Sequence, residues 1–231
     1  MAGFLRYPIL SGLSAFLDSP DPVYGTGADG NVTISSNTSL SSDMYYNNLT
    51  IADNITLNPN GYRIFVKNAL SMGNGSIIGF ITGSTAIGSI RGGAAINTAA
   101  SHSLGGSSGT QTATAPIAGL GGSKYYQVPA QAIRGYAVSA SNTTPTFLTG
   151  GAGGASGAGG GVVIVAARYI LSTATASNAK FSAVGTPGSG GGGGGAIIVV
   201  STAASLPSGV STDVTGGTGA SAGTFYYLQL V

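Results

Sequence analysis

Apolar and polar residues alternate over short distances in the first third of the chain. Leu49 and Ile51, Ile55 and Leu57, and Ile64 and Val66 each sit two apart, the period of a strand with one buried face. Asn-rich punctuation such as "NPNG" at 58–61 separates these runs, because Asn and Gly tolerate the backbone angles of tight turns. "NVTISS", "NLTIADNITL" and "GYRIFVKNALSMGNGSIIG" therefore predict short strands between Gly25 and Gly79. Strands this short at close intervals suit a β-solenoid or a sandwich.

The pattern differs at both sides of this region. In residues 1–24, Ile9, Leu13, Phe16 and Leu17 follow helical spacing and predict a short helix with one apolar face. "DSPDP" at 18–22 then reads as an extended or turned exit. This segment is either a cap folded on its own domain or a docking peptide. In the second case Phe4, Leu5, Tyr7, Ile9, Leu13 and Phe16 make the contact. Residues 80–149 show no strong period and predict large loops.

From Gly150 a repeat emerges. "GGAGGASGAGGGVVIVAARYILSTATASNAKFSAVG" precedes "TPGSGGGGGGAIIVVSTAASLPSGVSTDVTGG", and "TGASAGTFYYLQLV" is a truncated third copy. Each unit is a glycine tract, a strand-forming run and a return of small residues. Residues 62–79 match the strand half of this unit, which makes 80–149 an insertion between two repeats. The chain divides accordingly into 1–24, 25–79, 80–149 and 150–231.

The tracts 150–161 and 188–195 invite comparison with flexible linkers. Linkers join domains, whereas these tracts recur inside one repeating unit, directly before Val162–Val165 and Ile197–Val200. A packed state is available. Glycine can form extended left-handed helices of about three residues per turn, whose outward N–H and C=O groups bond neighbouring segments. The tracts are expected to be ordered in this polyglycine II-like way.

Composition narrows the function. Only 6% of the 231 residues are charged, no Glu is present, and the net charge is +2 with scattered cations. A nucleic-acid partner is not expected, since phosphate binding needs several cations on one face. Membrane insertion is not expected either, because runs such as "VVIVAA" (162–167) fall short of a span. The first residues carry one Arg and an apolar stretch broken by Pro8 and Gly12, a poor secretory leader. The sequons at Asn31, Asn37, Asn48, Asn54, Asn74 and Asn142 are read as structural asparagines.

Reactive groups are few. Asp18, Asp21 and Asp29 sit in turn contexts, His102 is the single histidine, and Cys is absent. Neither a carboxylate pair, nor a Ser–His–Asp site, nor a metal centre is expected, and no cofactor is implied. Loops on a rigid scaffold are where recognition concentrates. Tyr125, Tyr126, Arg134 and Tyr136 are of the types enriched at binding hot spots; the competing reading places them in a core or subunit contact.

The tracts 150–161 and 188–195, with the strands "VVIVAARYIL" and "AIIVVSTAASL", resemble the glycine-rich adhesins at bacteriophage tail-fibre tips. The run "LTIADNITLNPNGYRIFVKNALSMGNGSIIG" resembles the wider group of glycine-rich phage virion proteins. The resemblance implies a non-enzymatic virion protein with stacked polyglycine II helices and receptor-binding loops. An N-terminal segment would attach to a fibre or baseplate. The alternative is a capsid decoration or head-fibre protein that docks on the major capsid lattice. Low charge and exposed strand edges further suggest a symmetric homo-oligomer such as a trimer.

Overall fold

A computed structural model describes residues 21–79, 158–188 and 190–230. They are mostly β, with one helical turn, α1 (Asp21–Tyr24). The strands are β1 (Gly30–Ile34), β2 (Thr38–Ser39), β3 (Met44–Ile51), β4 (Thr56–Asn58), β5 (Arg63–Met72), β6 (Ile77–Gly79), β7 (Val162–Ser172), β8 (Ala179–Ser182), β9 (Ala196–Ser201), β10 (Val210–Asp213) and β11 (Thr224–Gln229). Odd-numbered strands make a six-stranded sheet in the order β1-β3-β5-β7-β9-β11, and even-numbered strands make a five-stranded one. Every pairing is parallel. The chain therefore winds, laying one strand in each sheet per winding.

Register stacks like on like. Ile34, Ile51 and Met72 align, as do Ile64, Val165, Val199 and Tyr227, and Leu57, Ile78 and Phe181. These side chains fill the space between the sheets, and Leu49, Ile51, Leu57, Ile64 and Val66 are fully buried there. The alternation read in the sequence marks this inward face, while Ile55 packs against the core only partly buried. The larger sheet is apolar outside as well. Val162, Ile164, Ala196 and Ile198 form a second buried set, which explains why "VVIVAA" runs without alternation.

The windings are uneven. Ile34 pairs with Ile51, Met72 with Ser172, and Ile197 with Phe225, so successive windings differ in length. β5 and β7 are neighbours although 80–161 separates β6 from β7. Register also slips between Tyr46 and Leu49 and between Val66 and Ala69. Asparagines fill the slip. Asn47 and Asn48 donate to Asn31 Oδ1 at 2.8 Å each, and Asn68 donates to Asn47 Oδ1 at 2.7 Å. Residues 21–24 form a helical turn, in keeping with Asp and Pro at its start; 18–20 of the expected extended or turned exit lie outside the described residues.

The glycines close the end where the smaller sheet's strands cross back to the larger one. Gly191–Gly195 are buried and bonded on several sides. Gly192 N donates to Thr186 O at 3.1 Å, and Gly195 N to Ala183 O at 2.6 Å. Gly193 O accepts from Gly160 N at 2.8 Å, and Ala196 N donates to Gly161 O at 3.0 Å. Gly191 N reaches Thr218 O at 3.1 Å, and Gly194 N reaches Ser221 O at 3.0 Å. The tract returns to the same neighbour after three residues, not the two of a strand.

No side chain fits in this packing. A Cβ on Gly192 would lie 2.0 Å from Ala158 O, and one on Gly195 would lie 2.0 Å from Gly161 O. Gly30 differs: its space is open and only its φ of 72° resists substitution. Thermal denaturation should separate the two cases. Gly192→Ala and Gly195→Ala should each cost about 3 kcal/mol or more through overpacking, lowering Tm by roughly 6–12 °C. Gly30→Ala should cost about 1 kcal/mol. Equal, small losses at all three would refute tight packing of the tract.

Candidate functional site

The candidate recognition residues Tyr125, Tyr126, Arg134 and Tyr136 lie outside the described residues, as do Phe4, Leu5, Tyr7, Ile9, Leu13, Phe16 and His102. What is described is the frame from which 80–157 departs and to which it returns. Departure is at Gly79, which pairs with Ser182. A Cβ on Gly79 would stand 2.4 Å from Ser182 O, so the chain leaves from a close backbone crossing. Return is through Ala158–Gly161, clamped on both sides. Thr186 holds Ala158 in particular, its Oγ1 accepting from Ala158 N at 2.5 Å while Thr186 N donates to Ala158 O at 2.8 Å. Both ends of the insertion are thus anchored in the glycine-rich end.

The remaining surface of this end is backbone and small hydroxyls. Thr215, Thr218 and Ser221 are exposed, and Asp213 Oδ1 accepts from Thr215 N at 3.2 Å and Thr215 Oγ1 at 2.9 Å. Such a surface can hydrogen-bond a partner but offers little charge. Among the described residues no group of three or more His, Cys, Asp or Glu side chains could hold a metal ion. No helix among them is long and apolar enough to cross a membrane.

Several of the described acidic and asparagine residues are engaged in structural hydrogen bonds. Asp29 accepts from Tyr45 N at 2.5 Å. Asp43 accepts from Arg63 N and Nε at 2.8 Å each and pairs with its guanidinium. Asp53 Oδ1 accepts from Asn74 N at 2.8 Å. Of the sequons, Asn37 Oδ1 accepts from Thr56 N at 2.8 Å. Asn54 holds a φ of 59° in a turn, where its N–H donates to Asn74 O at 2.8 Å. Each links one winding to the next.

The larger sheet carries an aromatic patch on its outer face, level with Ala166 of β7. Tyr45 and Phe65, register neighbours, stack with centroids 5.0 Å apart and planes 4° apart. Tyr24 of α1 packs with Phe65, Ala166 and Val200 of the larger sheet. Its buried hydroxyl has no hydrogen-bond partner among the described residues. Burial raises the Tyr24 pKa above the ordinary value, and the nearby Arg168 offsets part of that rise. Burial likewise raises Tyr46, with Asp29 adding to the effect.

One strand escaped the sequence reading as a surface. β11 carries Phe225, Tyr226 and Tyr227 at the edge of the larger sheet. Its signal was present in the truncated third repeat; among the described residues it has no companion strand in the smaller sheet. No family model matches the chain, and no curated protein and no solved structure matches it.

The raised tyrosines give an alkaline signature. In the unfolded chain the hydroxyl ionises near 10, whereas the folded chain keeps it protonated to higher pH. Between the two values the folded state binds more protons. The stabilisation is complete below pH 10 and is lost as pH rises through the raised value. Tm measured from about pH 9 to about pH 11.5 should fall, and Tyr46→Phe should flatten that fall. Tyr24→Phe removes an unpaired buried hydroxyl and should leave Tm at neutral pH unchanged or higher; a clear drop would show a hidden partner.

Proposed function

We propose that this chain is a non-enzymatic bacteriophage virion protein, a tail-fibre or baseplate adhesin that displays residues 80–149 to a host surface receptor. On this reading the winding pair of sheets is a two-sheet β-solenoid, and the glycine-rich end is a polyglycine II lattice that stiffens the base of the insertion. The observation that carries it is the three-residue return of the Gly191–Ala196 hydrogen bonds to Ala183–Thr186, Gly160–Gly161 and Thr218–Ser221. That geometry belongs to the polyglycine helix and matches the resemblance of the tracts to tail-fibre tip adhesins. Tyr125, Tyr126, Arg134 and Tyr136 are the receptor-facing candidates, and other virion proteins are the partners of the N-terminal segment.

The insertion should be separable from the scaffold. Removing 80–149 leaves 150–161 to join β6 to β7, close in length to 183–195, which joins β8 to β9. The shortened chain should retain a cooperative thermal transition and lose adsorption to host cells; adsorption that survives would sink the receptor role. Immunogold labelling of virions with an antibody against 80–149 tests location. Gold at the tail tip supports the adhesin. Gold over the head replaces it with capsid decoration, and unlabelled particles overturn the virion reading.

A further inference from the structure

The two ends of the larger sheet are built differently. β1 begins with a register shift at Gly30/Asn31, a device that blunts an edge. β11 has no such shift. It pairs with β9 over all six residues without a shift, and "TFYYLQ" contains no charge and no proline. Among the described residues no strand lies on its far side.

We propose that β11 is the self-association surface of this protein, pairing antiparallel with β11 of a second copy across a two-fold axis at Tyr226. The hydrogen-bonding geometry fits. Thr224 N donates to Gly195 O and Leu230 N to Ser201 O, so even-numbered residues face β9. Phe225 and Tyr227 then present their N–H and C=O to the open edge. A two-fold axis at Tyr226 places Phe225 of each copy opposite Tyr227 of the other as bonded pairs. Tyr226 lies opposite its own copy as a non-bonded pair, and Thr224 lies opposite Leu228. Every aromatic ring of the strand thereby meets another across the seam, the pairing that stabilises sheets best.

Pairing β11 with β11 is favoured over a head-to-tail stack by the other edge of the same sheet. A copy adding its β1 to β11 would set the shifted start of that strand, at Gly30/Asn31, against six residues that run without a shift. The two-fold arrangement also extends the apolar outer surface, since Tyr226 and Leu228 already pack against Ile164 and Ile198. This seam forms wherever the protein acts, and it selects a two-fold dimer in place of the trimer the sequence suggested.

The chain contains no cysteine, which makes cross-linking unambiguous. Across a non-bonded antiparallel pair the Cα atoms lie about 4.5 Å apart, within disulfide range. Full-length Tyr226→Cys should form a covalent dimer under mild oxidation, whereas Thr33→Cys on β1 should not. The unsubstituted chain should show twice the chain mass by light scattering, and Tyr226→Lys should return it to one chain mass with unchanged circular dichroism. A monomeric unsubstituted chain at micromolar concentration would overturn the proposal. So would cross-linking that appears only when Thr33→Cys and Tyr226→Cys are combined, the mark of head-to-tail stacking. Dimers formed by Tyr227→Cys and not by Tyr226→Cys would overturn the register.

Discussion

Backbone can approach backbone only where no side chain intervenes, and the glycine-rich end of this protein depends on that exclusion. Between the sheets, side chains such as Leu49, Ile64 and Phe181 hold the two layers apart, at the roughly 10 Å spacing of packed sheets. Where side chains vanish, the layers converge until Gly195 N bonds directly to Ala183 O and Gly192 N to Thr186 O. The apolar core thus passes into a region held by hydrogen bonds, where each buried amide must find its partner in another segment. The fixed positions of β7, β9 and β11 follow, since each strand starts where one of these clamped segments ends.

The same economy governs the other turns. With few charges available, asparagine and aspartate side chains take over the lateral bonding between windings. Asn31, Asn47, Asn48 and Asn68 form a ladder through the register slip, and Asp53 with Asn74 joins the turns after β3 and β5. Amides serve this role well because each can donate upward and accept from below. Such ladders work only when successive windings are in register, so they reinforce the stacking that creates them.

Much of the inward face was legible in the sequence. Leu49, Ile51, Ile64 and Val66 alternate because the period of a strand is two, and they are the core. The second tract was read as ordered, and its described glycines Gly191–Gly195 are buried and bonded; most of the first, 150–157, lies outside the described residues. The parallel pairing of every strand was not legible, because alternation reports a buried face and says nothing of a neighbour's direction. Nor were the slips at Asn47–Asn48 and Lys67–Asn68, where one residue's offset depends on the adjacent winding. The candidate binding tyrosines lie outside the described residues, so the recognition surface was read from composition alone.

The adjacency of β5 and β7 has a consequence for how this chain can change. The exits of 80–157 are pinned in neighbouring windings by Gly79 and by Ala158–Gly161. The entropy of closing a flexible segment between two fixed points rises only with the logarithm of its length, about 0.6 kcal/mol for each doubling. A scaffold that holds both exits this way tolerates a wide range of lengths in the segment between them. Lengthening, shortening or exchanging it wholesale perturbs folding far less than altering a single glycine beneath it.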